Sequence, residues 1–227
     1  MKRWLIPCAA AAALLAGCTP QQDRGESALG TNVPLAGASN LAGAAPPGTQ
    51  VWRAPDIAQN PASNFYIPPA KVDTGPEARF TGVDPQQVAA TLTADVRRAV
   101  GQRFPVVNTP GPGTHSLELT LVQVVPPQPT YITNGPYSWS QGLVGMPNAA
   151  GSTTGQMLVA GKSVESASGK LLAAFVVPVT PRDLMMGVPA GPGGAAVFAR
   201  DASQEFASSL AASLVRQREL NRQVSQQ

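Results

Sequence analysis

The sequence predicts an α+β fold, a single small domain in which a mostly antiparallel sheet of about four strands is packed by two helices. Three observations carry that expectation. Val88, Leu92, Val96 and Val100 recur at helical spacing, as do Phe206, Leu210 and Leu214. Leu117, Leu119 and Leu121 alternate with polar residues, the period of a half-buried strand. The apolar stretches 156–166 and 170–179 enclose Ser168-Gly169, a turn that tolerates positive φ, and read as a hairpin. Strand, helix, strand, hairpin and helix in that order close into two packed layers.

Each element has a local reason. Phe65 to Val72 is a short strand that Pro68-Pro69 interrupts, which places it at a sheet edge. Asp84-Pro85-Gln86-Gln87 opens the first helix: Asp84 caps it, Pro85 suits its first turn, and Gln87 completes a capping-box pattern. Arg97 and Arg98 fall on its solvated side near the carboxyl end, where the helix dipole favours cations. Val106-Val107 pairs locally before the turn-rich run Asn108 to Gly113. In the Leu117–Leu121 strand the alternation breaks at Val122, with Val124 next, so a bulge or a strand end buried on both sides is expected. Asp201 opens the second helix, and Arg216, Arg218 and Arg222 finish it.

Composition limits what the domain does. Charged residues are 13% of the 227, against a usual value of about 25%. Gly 22 and Pro 23 are both high, and 43% apolar residues suffice for one modest core plus irregular stretches. One His and two Cys build neither a zinc ribbon nor a disulfide scaffold. A net charge of +3 is no nucleic-acid footprint despite a sequence pI near 9.1.

The amino terminus reads as an address. Lys2 and Arg3 precede an apolar run from Trp4 to Leu15, too short for a permanent span of about 20 residues. Leu15-Ala16-Gly17-Cys18 follows and resembles the bacterial lipobox. That resemblance implies cleavage before Cys18, a diacylglyceryl thioether on its sulfur and an acylated amine. Together with the composition of the stretch that follows, the expected domain division is 1–17 lipoprotein signal peptide, 18–62 lipidated Cys and flexible tether, and 63–222 α+β periplasmic domain. Multiple acyl chains on one Cys supply stable anchoring, which a single chain does not. Thr19 stands where the enterobacterial inner-membrane retention signal has Asp, so the periplasmic face of the outer membrane is expected. Loss of Lys2, Arg3 and Cys8 with the leader takes the net charge from +3 to +1 and leaves no free thiol. Residues 19–62, rich in Ala, Gly, Pro, Gln, Ser and Asn, lack periodicity and read as a tether with an r.m.s. span of roughly 35–40 Å. Trp52 is its exception, either docking on the domain or meeting a partner.

Catalytic patterns fail on inspection. Gly161-Lys162-Ser163 looks like the tail of a phosphate loop, but Gly155 precedes it by five intervening residues rather than four, and it lies inside a strand. His115 follows a turn and begins a strand, where a solvent-facing His is ordinary; no G-x-S-x-G elbow accompanies it. Asp73, Glu77, Asp84 and Asp95 are too irregular to nominate a carboxylate pair. Catalytic residues, metal and cofactor are all expected to be none. The long stretch 126–155 concentrates Tyr131, Tyr137 and Trp139 among several prolines. These rings either anchor a partner, as aromatics do at interfaces, or pin the loop onto its own sheet. The second long connection, Thr180 to Ala196, holds Met185-Met186, a pair that serves as adaptable surface or as buried filler.

Taken with the lipobox, the turn Thr109-Pro110-Gly111-Pro112-Gly113 before Leu117-Glu118-Leu119-Thr120 and the hairpin Glu165 to Phe175 resemble the bacterial lipoproteins grouped as domain of unknown function 3313. The family's Asp-Ser-x-Thr-Gly-Glu type turn is softened here to Ser-Ala-Ser-Gly-Lys, and the Trp-rich final helix is replaced by one bearing Phe206. The family has no established activity, so the resemblance carries no catalytic residues over to this sequence. The expected function is a membrane-anchored, non-catalytic accessory module of a cell-envelope complex, with Tyr131, Tyr137 and Trp139 meeting a protein partner. The alternative is a periplasmic carrier holding a lipid or glycan between sheet and helices.

Overall fold

The computed structural model describes residues 28–30, 35–37, 46, 48–59, 61–76, 78–127, 155–181 and 192–224. Its longest strand organises the rest. β7 (Thr114–Val125) pairs along one side with β8 (Gln156–Glu165), antiparallel as the hairpin partner of β9 (Leu171–Val179). Gly169 takes φ +73 in the connecting turn, the conformation the sequence assigns to it. Along its other side β7 takes three short parallel strands: β3 (Asn64–Tyr66), β4 (Lys71–Val72) and β5 (Arg79–Phe80). With β1 (Ala36–Gly37), β2 (Gln50–Arg53) and β6 (Val106–Val107), the full order is β1-β2-β9-β8-β7-β3-β6, with β4 and β5 on the β7 flank.

The domain is α+β with two long helices among the described residues, but the sheet they form has nine strands and is mixed, not four antiparallel ones. The reason is the first helix, α1 (Pro85–Gly101). It carries the chain from β5 back over the sheet to β6 (Val106–Val107) and β7, the crossover that parallel strands require. β3 is therefore flanked by both β6 and β7 instead of lying at an edge.

The tether also needs correction. Residues within 18–62 enter the sheet as β1 (Ala36–Gly37) and β2 (Gln50–Arg53), which adds antiparallel to β9. Trp52 sits half-buried opposite Ala174. A backbone row left open by β9 is satisfied by this strand, so main-chain pairing orders a segment that has no apolar period. Lys170 bonds Asp56 just beyond it, joining the segment to the hairpin turn.

α1 forms as its sequence dictates. Asp84 Oδ1 accepts the Gln86 N–H at 3.0 Å, Pro85 occupies the first turn, and Val88, Leu92, Val96 and Val100 are buried. Its flank also repairs the break at Pro68-Pro69. Arg97 donates two hydrogen bonds to the Ile67 carbonyl, at 2.9 and 2.6 Å, so it is tied down rather than merely solvated. The Ala70 N–H donates to Thr93 Oγ1 at 2.8 Å. Backbone groups that lose their ladder partners are thus satisfied by helix side chains.

The second helix, α2 (Pro192–Val224), begins nine residues before the expected Asp201. Ala195, Phe198, Ala199 and Ala202 extend the Phe206 stripe backward, and burial of Phe198 outweighs the poor propensity of Gly193-Gly194. α2 runs parallel to α1: a Cβ on Gly82 would touch Ala195 near one end, and Arg218 lies 4.9 Å over the Phe104 ring near the other.

The sheet buries both faces. Leu117, Leu119, Leu121 and Val124 meet Leu92, Val96, Phe198 and Phe206 under the helices. At the expected bulge Val122 is the extra residue, between Leu121 paired to Val159 and Gln123 paired to Leu158. The bulge splits Val122 from Val124: Val122 joins Leu158, Ala160, Ala174 and Val176 on the opposite face. That second face is covered by Leu29, with Ala28 and Leu35 against it.

Candidate functional site

The second sheet face carries the domain's candidate site. Alternation along β7 puts Glu118 and Thr120 on it, and the register of the hairpin sets Lys162 directly opposite Glu118. β4 runs parallel on the other side, so Lys71 stands beside Thr120. Glu118 is thereby flanked by two ammonium groups, Lys162 Nζ at 3.5 Å and Lys71 Nζ at 3.9 Å. Asp73 lies next along, its carboxylate accepting the Gly75 N–H at 3.0 Å. These four side chains, with Thr120, border a groove of about 280 Å³ whose wall is Ala28, Leu29 and Gly30.

The chemistry available here is recognition. Two cations around one carboxylate, with a second carboxylate alongside, offer donors and acceptors to a polar or zwitterionic group. Cross-strand charge pairs of this kind also stabilise a half-solvated sheet face by a few tenths of a kcal/mol. The side facing the helices is a filled core, since Leu92, Val96 and Leu121 are wholly inaccessible. The groove thus lies on the second face, opposite the filled helix side.

Other sequence candidates find their places. Gly161-Lys162-Ser163 lies inside β8 as expected. Its glycine is a packing residue, because a Cβ there would run into the Phe175 ring and stand 3.0 Å from Leu119 Cδ2. His115 is buried, not solvent-facing: β3 and β8 flank it, and its ring meets Phe65 edge-on at 6.0 Å. Asp95 is buried and pairs with Arg98 at 2.7 Å. Asp84 is a helix cap. Asp56 lies outside the groove, and its hydrogen bond from Lys170 holds its carboxyl below the ordinary carboxylate range. Burial lowers the Arg53 guanidinium from its usual value. Among the described residues no group of three His, Cys, Asp or Glu side chains is placed to hold a metal ion, and no helix is long and apolar enough to cross a membrane.

Cys18, Tyr131, Tyr137 and Trp139 lie outside the described residues, as does Met185-Met186. The structure does fix where the two long connections leave the domain. Val125 pairs with Gln156 and Met157 with Val179, so both connections depart from one end of the sheet, beside the start of α2. Gly155 stands against Pro127 there, where any Cβ would collide with the Pro127 ring and lie 2.8 Å from Phe198.

The second-face residues Leu29 and Lys71 were not among the candidates the sequence nominates, and Lys162 was weighed only as part of a phosphate loop. One signal for that face was available: Met157 to Ala160 and Ala174 to Val177 are apolar at every position, the mark of strands covered on both sides.

Comparison with known proteins places the chain. Protein XCC0632 from Xanthomonas campestris, of family DUF330, is similar in structure at 11% identity and a TM-score of 0.39, covering 74% of this chain and 91% of that one. The PelC dodecamer from Paraburkholderia phytofirmans is similar at 10% identity and a TM-score of 0.36, covering 71% of this chain and 95% of that one. No curated protein matches the sequence. Residues 38–207, from β2's approach to the middle of α2, match the family model described as protein of unknown function (DUF3313), and the chain belongs to that family.

Proposed function

We propose that this protein is a lipid-anchored module of the bacterial cell envelope that binds a protein partner and catalyses nothing. The observation that carries the reading is Leu15-Ala16-Gly17-Cys18 behind a basic start and a short apolar run. Cys18 then bears the lipid, and the domain hangs in the periplasm, on the inner face of the outer membrane. Tyr131, Tyr137 and Trp139 offer the partner surface. Support comes from the prolines among them, which limit the freedom lost on binding, and from the shared end at which both long connections leave the sheet. The non-catalytic reading draws on the sole imidazole, His115, being packed against Phe65.

The carrier reading keeps one specific observation in its favour, the groove beside Glu118 and the two lysines. A ligand held there would show as a mass adduct in native mass spectrometry of the purified protein, lost in Lys71→Ala/Lys162→Ala.

Anchoring is tested by expressing wild type and Cys18→Ala and separating membrane from soluble periplasmic fractions. Wild type is expected in the membrane with the mass of a multiply acylated amino-terminal Cys; Cys18→Ala is expected to be soluble or unprocessed. Wild type of unmodified mass in the soluble fraction overturns the assignment.

A further inference from the structure

The carboxyl ends of the two parallel helices lie side by side, and the positive charge of the domain collects there. Arg218 of α2 sits 4.9 Å over the Phe104 ring, three residues past the end of α1. Arg98, Arg103, Arg216 and Arg222 fall within about 10 Å of that contact along the helix axis, and all four are exposed. With Arg97 and Arg218 they make six guanidinium groups against Asp95 and Glu219, an excess of four positive charges. The helix dipoles offset about one of these. The hairpin turn on the sheet side adds Glu165 and the Lys170–Asp56 pair, one further negative charge net. The other described residues hold five cations and five carboxylates, so the surplus sits at this end. Arg98 reaches Asp95 and Arg216 reaches the Ser213 hydroxyl, whereas neither Arg103 nor Arg222 bonds another described residue.

We propose that this arginine end is a docking surface for anionic phospholipid, on which the domain rests. Two observations select a lipid surface as the occupant. Both helices use Arg and never Lys for their cations, and a guanidinium forks onto phosphate oxygens and sheds water more readily than an ammonium. Leu220, 53% exposed, is the large apolar side chain left in solvent among the described residues, and it stands one turn beyond Arg216 on the same side of α2. A lone Leu among arginines suits entry between charged headgroups, while a protein interface needs a cluster of large apolar anchors. Gly82 and Ala195 mark the opposite end of the helix pair, where both long connections leave the sheet. Docking by the arginines therefore turns that end away from the bilayer.

The test uses the full-length protein as cells process it, reconstituted with vesicles of phosphatidylethanolamine containing either phosphatidylglycerol or neutral phosphatidylcholine. A genetically encoded fluorescent residue replaces exposed Gln223 or, in a second protein, exposed Ala196, about 40 Å away along α2. Quenching by spin-labelled lipid headgroups is read for each. The expected result is several-fold stronger quenching at 223 than at 196 with phosphatidylglycerol, and no such difference in neutral vesicles or in 0.5 M salt. Each arginine near an anionic surface is worth about fivefold in the docked-to-free ratio, so Arg103→Gln/Arg216→Gln/Arg222→Gln should lower that ratio about a hundredfold and remove the difference. Lys at the same three positions should restore it, which separates charge from damage to the fold. A protein that leaves neutral vesicles yet holds anionic ones by position 223 supports the docking surface and removes only the lipid on Cys18. Equal quenching at 223 and 196 with phosphatidylglycerol, or quenching at 223 that survives in the Gln variant, overturns the proposal and leaves this end to an acidic protein.

Discussion

Gly161→Ala is the substitution whose cost the structure defines most sharply. Gly161 pairs with Phe175 across the hairpin, and the Phe175 ring lies over it. A Cβ would stand 3.0 Å from Leu119 Cδ2 and closer still to two ring atoms of Phe175, whereas carbon atoms prefer about 3.5–4.0 Å. The ring has no free route away. It is 9% exposed, and Phe206 lies behind it with ring centroids 6.4 Å apart. Overpacking of this kind costs about 1–3 kcal/mol, a five- to more than a hundredfold fall in the folded ratio. Urea unfolding followed by circular dichroism measures it as a lower midpoint at unchanged slope. Phe175→Leu alone leaves a void and costs about 1–2 kcal/mol. In the double variant the void admits the new methyl, so the combined loss should fall short of the sum by about 1 kcal/mol. Additive losses, or a Gly161→Ala cost below about 0.5 kcal/mol, would refute the packing explanation of this glycine.

Four further outcomes follow from particular contacts. Asp84→Ala removes the cap on the Gln86 N–H and should cost about 1 kcal/mol, lowering the thermal midpoint by roughly 2–4 °C. Thr93→Val keeps the side-chain shape but leaves the Ala70 N–H unpartnered, for a loss of about 1–3 kcal/mol in urea unfolding. Leu158→Ala should cost about 2–5 kcal/mol, because the second face is a true core beneath Leu29; a loss typical of a surface site would contradict that. Asp56 titrates below its unfolded value because Lys170 bonds its carboxylate. Its contribution to stability is therefore present above the ordinary carboxylate range, near pH 4, and is lost as pH falls through the depressed folded value. Lys170→Ala should lower the urea midpoint at neutral pH and converge with wild type in acid.

What the sequence discloses and what it hides divide along one physical line. Signals carried within a segment are legible: the Asp84 cap, the Val88–Val100 stripe, the Ser168-Gly169 turn and the bulge at Val122 all stand where their own residues place them. Features that depend on a distant partner are not. The parallel pairing of β3, β4 and β5 with β7 follows from the crossover by α1, which no strand encodes in its own alternation. β2 carries no apolar period because its order comes from backbone pairing with β9. The early start of α2 is set by Phe198 meeting the sheet. His115 looks exposed in isolation and is buried because two strands close over it. The groove depends on register in the same way, since Glu118 and Lys162 become neighbours through strand pairing across more than forty positions of sequence.

Partner binding through the aromatic connection is the central claim, and photocrosslinking in living cells tests it most directly. A photoreactive residue at Trp139 is compared with one at Leu92, a wholly buried position of α1. The account predicts a discrete protein adduct from position 139, identified by mass spectrometry, and none from position 92. A position 139 that yields no adduct, or the same adducts as position 92, contradicts it and leaves the three aromatic rings as part of the domain's own packing.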